Sequence, residues 1–296
     1  MKLKLTLATI VVSLLFISTV SAQKRELHVI SLKNPKQLHE FFRYDADATV
    51  VISGHRGGMI AGFPENSIAT FENTLRYTPA FYEIDPRLTK DSIIVLMHDA
   101  TLDRTTTGNG RLANYNFDEL SRFQLKDRDG NVTPYTIPTL KEVIEWARGK
   151  TILNLDIKDV PPTMMADLIK ELNAEAFVML TVHSPAQALF YLEKNPHSMF
   201  SAHIKSVEQF HEYDEAGIPW KQVMAYIGPE VKPENKELYD LLHAKGVKCM
   251  ISSASTYDKL ETKTARAEAY RDIVADGADV LESDYPIEVA EAISSE

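Results

Sequence analysis

Four short strings place charged or titratable residues where an apolar run stops. His55 and Arg56 follow the β-branched run Thr49–Ser53. Glu83 and Asp85 flank Ile84 inside an apolar stretch, and His98 and Asp99 end the run that starts at Ile93. Asp156 and Lys158 flank Ile157 at the end of the run from Thr151. Residues i and i+2 of a strand share a face, so Glu83 projects with Asp85 and Asp156 with Lys158. Three carboxylates from neighbouring strands make an all-oxygen site, which suits a hard cation such as Ca²⁺ or Mg²⁺. Arg56 and Lys158 add positive charge that could hold a phosphate. His55 and His98 are suited to general acid and base work near neutral pH.

Each string also has an ordinary reading. A strand-end histidine is commonly a hydrogen-bonded surface residue, and a Glu-x-Asp pair is commonly a solvated face. Glu83 and Asp85 depart from that pattern because their strand reads as buried. Burying unpaired carboxylates costs several kcal/mol, so a counter-ion is expected there. Asp127-Arg-Asp-Gly130 has the look of a calcium loop, but Val132 stands at its sixth position and Pro138 at its twelfth. An EF-hand needs glycine and glutamate at those places, so a hairpin or surface turn is expected. His183 and His203, at the ends of two later strands, are candidates for lining the same mouth, against the ordinary reading of strand-end histidines.

Strands and helices must alternate to bring these strings together. Strand candidates run at 49–53, 82–89, 93–98, 151–158, 177–183, 199–204, 223–227, 247–252 and 278–283, with helical patterns between most of them. Repeated βα units predict a parallel sheet. Their number, with no linker, predicts a single-domain α/β protein with a (β/α)8 TIM barrel over 49–296. Active sites of that fold lie at the C-terminal ends of the strands, where the four strings fall. Nine candidates compete for eight positions, and the short segment 223–227 reads as the surplus one. An open doubly wound sheet is disfavoured, since the glycines after the first strand lack the G-x-G-x-x-G spacing.

Residues 23–48 read as an irregular lead-in that covers one end of the barrel. Residues 1–22 read as a secretory signal peptide: Lys2 and Lys4, then an apolar run, then Val20-Ser-Ala22 as the cleavage site. The apolar run is short for a membrane span, so no stable span is expected after cleavage, and the expected location is periplasmic or secreted. The 296-residue chain has one cysteine and a net charge of −10. One cysteine excludes an internal disulfide, and Cys249 reads as a small buried hydrophobe. The acidic balance argues against nucleic acid as a partner, and no obligate protein partner is inferred.

Taken in order, the motifs resemble the glycerophosphodiester phosphodiesterase family. They are Gly54-His-Arg-Gly57, Pro64-Glu-Asn66, Glu83-Ile-Asp85, Leu88-Thr-Lys-Asp91, His98-Asp99, Leu102-Asp-Arg-Thr-Thr106, Ile137-Pro-Thr-Leu140, Leu155-Asp-Ile-Lys158 and Ser283-Asp-Tyr-Pro286. The resemblance implies a barrel distorted as in phosphatidylinositol-phosphodiesterase-like enzymes. It implies one divalent cation held by Glu83, Asp85 and Asp156. It implies His55 and His98 as the acid–base pair, and Arg56 and Lys158 as phosphate contacts. The implied reaction cleaves a small-molecule glycerophosphodiester to glycerol 3-phosphate and an alcohol. Glu65, in the Pro64-Glu-Asn66 string, joins His183 and His203 as a candidate for the mouth.

Three departures bear on the transfer. Asp156 stands where the family usually has glutamate. Pro86 replaces a β-branched residue, and Cys249-Met-Ile-Ser-Ser253 lacks the late-strand tryptophan and asparagine. Competing readings are a phospholipase D or sphingomyelinase D-like lipid enzyme of the same fold, and a non-catalytic extracytoplasmic binding protein. Toxin-type relatives carry disulfides that one cysteine cannot make. A metal-dependent amidohydrolase is a poorer fit, since the first strand has no His-x-His.

Overall fold

β-Branched and apolar runs with no polar alternation pack best when both strand faces are covered. In this chain such runs form a closed parallel barrel. The computed structural model describes residues 26–294. Its strands are β1 (Val51–His55), β2 (Phe81–Ile84), β3 (Pro86–Leu88), β4 (Ile94–Leu96), β5 (Gln124–Lys126), β6 (Val132–Thr136), β7 (Leu153–Leu155), β8 (Val178–Val182), β9 (Met199–His203), β10 (Val223–Gly228), β11 (Cys249–Ser252) and β12 (Val280–Ser283). The barrel closes in the order β1-β12-β11-β10-β9-β8-β7-β2, with parallel pairing throughout. Helices follow most barrel strands, among them Ile68–Leu75, Pro162–Glu171 and Lys263–Asp276. This is the expected (β/α)8 barrel.

The surplus strand is not 223–227, contrary to expectation. Val223–Gly228 is a full barrel strand, paired to both β9 and β11. The run 93–98 is the one outside the barrel: β4 pairs antiparallel with β3 in a separate ribbon. The cause lies at Pro86. Proline lacks the N–H that a central strand must donate, so the paired register ends at Ile84, only the Pro86 carbonyl still accepts from the Lys158 N–H at 3.1 Å, and the chain leaves as β3. The insertion that follows, to about residue 138, has its own small core of Val95, Met97, Leu102, Leu112, Leu120, Leu125 and Ile137. Asp127-Arg-Asp-Gly130 is the turn between β5 and β6, and its Asp127 carboxylate accepts backbone N–H groups of Gly62, Asp129 and Asn131.

Inward side chains stack in tiers because the strand period is 2. The lowest tier is apolar: Phe81, Ile152, Met179, Met199, Met224, Met250 and Val280. Two residues further along each strand come Glu83, Asn154, Thr181, Ser201, Tyr226, Ser252 and Glu282, with Ser53 beside Glu282 in register. At the top stand His55, Asp85, Asp156, His183 and His203. The lead-in is less irregular than its sequence suggests. Pro35–Phe41 is a helix capped by the Asn34 side chain. Its Leu38 and the following Phe42 pack under the lowest tier, Phe42 edge-on to Phe81 at 5.4 Å.

Cys249 is fully buried. No helix among the described residues is long and apolar enough to cross a membrane. Residues 1–22, where a signal peptide is expected, lie outside the described residues.

Candidate active site

β1 delivers His55 to the C-terminal rim and then turns sharply. Arg56 (φ 52°), Gly57 (φ 94°) and Gly58 (φ 98°) are all in left-handed space, and a Cβ on Gly57 would lie 2.5 Å from the Phe71 ring. Only glycine fits there. Arg56 accepts the strain of its own conformation, and the turn aims its guanidinium back across the barrel mouth. Asn66 is also left-handed (φ 56°). Its side chain donates to Asp85 Oδ2 at 2.7 Å and accepts the Asp85 N–H at 3.1 Å, which fixes that carboxylate just beyond β2.

One cavity of about 160 Å³ takes in His55 and His98, the carboxylates of Glu83, Asp85 and Asp156, and the cations Arg56 and Lys158. Ligand oxygens of the three carboxylates lie within 4.8 Å of one another. Lys158 Nζ lies 2.6 Å from Asp156 Oδ2 and 2.9 Å from Asp85 Oδ1. Arg56 Nε lies 3.3 Å from Asp85 Oδ2. Neither contact to Asp85 is aligned, so Asp85 Oδ1 and Arg56 Nε are buried without a hydrogen bond among the described residues. Burial, and then Asp85 beside it, push the Glu83 carboxyl well above its ordinary range. Burial would raise Asp85 too, but Lys158 and Arg56 outweigh it and hold that carboxyl low. A buried carboxylate oxygen without an aligned hydrogen bond and an adjoining carboxylate under repulsion fit a hard divalent cation, whose preferred donors are oxygens. Glu83, Asp85 and Asp156 are the residues that could hold it.

Each histidine is held by a carboxylate behind it. Asp284 Oδ1 lies 2.7 Å from His55 Nδ1, and Asp99 Oδ1 lies 2.8 Å from His98 Nδ1. A carboxylate only accepts, so each Nδ1–H donates. That fixes the tautomer and leaves Nε2 for the cavity. Burial alone would lower the His55 pKa, but the Asp284 hydrogen bond, with Glu83 and Glu282, carries it up to about 9. Arg104 donates to Asp99, and with the His98 contact this holds the Asp99 carboxyl far below its usual range.

Asp284 is in turn positioned by Asp258, which is buried. Asp258 accepts hydroxyls from Ser253 (2.7 Å), Tyr270 (2.7 Å) and Ser283 (2.9 Å) and the Asp284 N–H (2.6 Å). His98 itself comes from the insertion rather than a barrel strand. Arg87 donates twice to its carbonyl and pairs with Asp159.

Glu65 stands apart from the expectation of a mouth residue. It is buried outside the cavity lining, between Arg56 (3.1 Å) and Arg104 (2.7 Å), and so orients the first and links it to Asp99. His203 lines the cavity and His183 stands at its rim, with their Nδ1 atoms 3.1 Å apart and His183 Nε2 3.9 Å from Asp156. One of the two nitrogens must donate and the other accept. Burial, then His183 and Lys205, drive the His203 pKa down to about 3.

Three acids join the site that sequence reasoning misses, Asp284, Asp258 and Glu282, while Asp99, singled out there only as a strand-end charge, proves to be the partner of His98. Asp99 and Asp284 sit inside motifs quoted above. Glu282, one acid in an otherwise apolar strand, carries the same signal that points to Glu83. Asp258 sits in a single 3-10 turn, Tyr257–Lys259, and carries no sequence signal. A second group, His243, Cys249 and Asp279, lies at the opposite end of the barrel. There Asp279 Oδ2 accepts both His243 Nε2–H and the Cys249 N–H, each at 2.8 Å, so its charge is already met.

Residues 55–267 match the family described as Glycerophosphoryl diester phosphodiesterase. The crystal structure of a glycerophosphoryl diester phosphodiesterase from Parabacteroides distasonis shares 56% sequence identity, covers 91% of this chain and 95% of that one, and has a TM-score of 0.90. The glycerophosphodiester phosphodiesterase of Caldanaerobacter subterraneus subsp. tengcongensis is 36% identical over 141 residues, 45% of this chain and 57% of the relative. The matched segment spans about half the length of the curated relatives. At 19% identity and a TM-score of 0.67, over 87% of this chain and 99% of the other, the Oleispira antarctica phosphodiesterase solved in complex with the product sn-glycerol-3-phosphate is alike in fold. A family match over residues 55–267, joined to a 56% identical structure that covers nearly the whole fold, means that this chain belongs to the glycerophosphoryl diester phosphodiesterase family.

Proposed function

We propose that the protein is a metal-dependent hydrolase that cleaves glycerophosphodiesters to glycerol 3-phosphate and an alcohol by two-histidine acid–base catalysis. The observation that carries this reading is the single cavity in which two carboxylate-oriented histidines face three converging carboxylates and two cations. Family membership and the 56% identical Parabacteroides relative support it. Ca²⁺ or Mg²⁺ is the cation proposed for Glu83, Asp85 and Asp156. When bound, such an ion supplies positive charge against the phosphate oxygens.

Arg56 and Lys158 orient the phosphodiester anion and offset the charge that builds on it. One histidine Nε2 takes the proton of the attacking oxygen, which is water or a neighbouring glycerol hydroxyl. The other protonates the departing alkoxide as its P–O bond breaks. With a glycerol hydroxyl as nucleophile, a cyclic phosphate forms first, and water then opens it to glycerol 3-phosphate. Either route consumes one water per diester. Asp284 and Asp99 keep each ring in the tautomer this exchange needs.

We further propose that residues 1–22 are a signal peptide and that the enzyme works in the periplasm or as a secreted protein. Its N-terminal pattern supports this. Sequencing of protein recovered from the extracytoplasmic fraction is expected to begin at Gln23; an intact Met1 there contradicts the assignment.

Replacing His55 or His98 by alanine is expected to lower turnover of glycerophosphocholine on the order of 10²–10⁴-fold. Chelator is expected to abolish it, with Ca²⁺ or Mg²⁺ restoring it. Turnover within a few-fold in either variant, or full activity in chelator, overturns the reading. Faster cleavage of lysophospholipid or sphingomyelin would instead favour the lipid phospholipase D-like alternative.

The His55–Asp284 contact also has a pH signature. His55 is raised from 6.5 to about 9, so its contribution to stability is fully present below pH 6.5 and is lost as pH rises through about 9. Asp284→Asn is expected to move the His55 ring titration down, read by NMR in chelator. An unchanged midpoint rules out Asp284 as the partner that holds the proton.

A further inference from the structure

Half of the cavity is not used by the chemistry above. On the side of β8 to β12 its wall is the middle tier of the barrel: Thr181, Ser201, Tyr226, Ser252 and Glu282. Barrel interiors are ordinarily filled by bulky apolar side chains, as the tier beneath is here. A buried tier of hydroxyls around a carboxylate is costly unless its hydrogen bonds are made. Glu282 is 5% exposed. Ser53 donates to its Oε2 at 3.0 Å, and the Ser252 hydroxyl also bonds to it. Strand register puts both serines beside it, on β1 and β11. Among the described residues no lysine or arginine forms an ion pair with Glu282, unlike Asp85 and Asp156. It is therefore a buried acceptor, oriented by two serines and bordering the cavity.

We infer that Glu282 is the specificity-determining residue of a polyol subsite that receives the hydroxyl-bearing glycerol arm of the substrate. The inference rests on the phosphodiesterase reading above. Phosphate held by Arg56 and Lys158 leaves two arms to place. An arm with hydroxyls can donate to Glu282 and exchange hydrogen bonds with Ser201, Ser252 and Thr181. A quaternary ammonium arm has no hydrogen-bond donor to offer Glu282 or the hydroxyl oxygens, of which Ser252 and Thr181 already donate to Glu282 and Asn154. Its usual cage is aromatic, and Tyr226 is the one phenol ring in this tier. The variable alcohol then points outward, past His183 and His203.

The test compares Glu282→Gln with wild type on glycerophosphocholine and glycerophosphoethanolamine. It adds calorimetric binding of sn-glycerol 3-phosphate and of inorganic phosphate, with the restoring metal present. The variant is expected to lose roughly 10- to 100-fold in kcat/KM on both diesters and in sn-glycerol 3-phosphate affinity, the size of a hydrogen bond to a charged group, while phosphate affinity holds within about 3-fold. Ser252→Ala, which keeps the carboxylate, is expected to lose less on the same axis and guards against a folding defect in the first variant.

Equal losses for sn-glycerol 3-phosphate and phosphate overturn the inference, because Glu282 then serves the phosphate or metal side. A loss confined to glycerophosphoethanolamine also overturns it and makes Glu282 a reader of ammonium. Wild-type protein that binds phosphate yet cleaves neither diester fails the parent reading, a result distinguishable from both.

Discussion

Negative charge buried at the mouth of a barrel is the constraint on which the rest of this structure depends. Glu83, Asp85 and Glu282 are buried beside the partly exposed Asp156, and buried carboxylates cost several kcal/mol each unless matched. Lys158 and Arg56 answer Asp85 and Asp156, and His55 answers Glu83 and Glu282 in part. Asp85 Oδ1, buried and 2.9 Å from Lys158 Nζ without an aligned hydrogen bond, is the oxygen at which a further cation would join that balance. An anionic substrate would enter beside Arg56 and Lys158, whose own charge is held in place by carboxylates rather than by solvent. The overall −10 charge says nothing of this pocket, because the local arrangement decides it.

The fold meets that constraint in layers. An apolar tier, closed below by Leu38 and Phe42, anchors the strands. Above it a hydroxyl-rich tier gives way to a charged rim. Side chains at the rim are fixed from behind: Asp258 holds Asp284, Asp284 holds His55, and Glu65 and Asp99 share Arg104. His98 reaches the site from the insertion because Pro86 ends the β2 ladder one residue after Asp85. The residue that departs from the family's usual pattern is thus the local cause of the chain's exit from the barrel.

Much of this is legible in the amino-acid sequence alone. Alternating βα units carry the barrel, and acids embedded in apolar runs carry Glu83, Asp85 and Asp156, because burial of charge leaves a visible break in hydropathy. Two things are not legible. Strand membership fails at 93–98 and 223–227, since a short apolar run looks alike in a barrel and in an antiparallel ribbon; only the proline at 86 hints at the break. Partners such as Asp258, Glu65 and Arg104 are invisible in role, because hydrogen bonding across irregular separations of 5 to 39 positions leaves no periodic trace. Glu282 lies between these cases: the rule that singles out Glu83 reaches it, but no motif draws attention to it.

The converging carboxylates are assigned one divalent cation, and that assignment is the central claim. Anomalous diffraction from crystals soaked in Mn²⁺, which shares the oxygen preference of Mg²⁺ and Ca²⁺, tests it most directly. The account predicts one strong peak in contact with an oxygen of each of Glu83, Asp85 and Asp156. No peak there, or a peak only at the His243–Cys249–Asp279 group at the other end of the barrel, would contradict it.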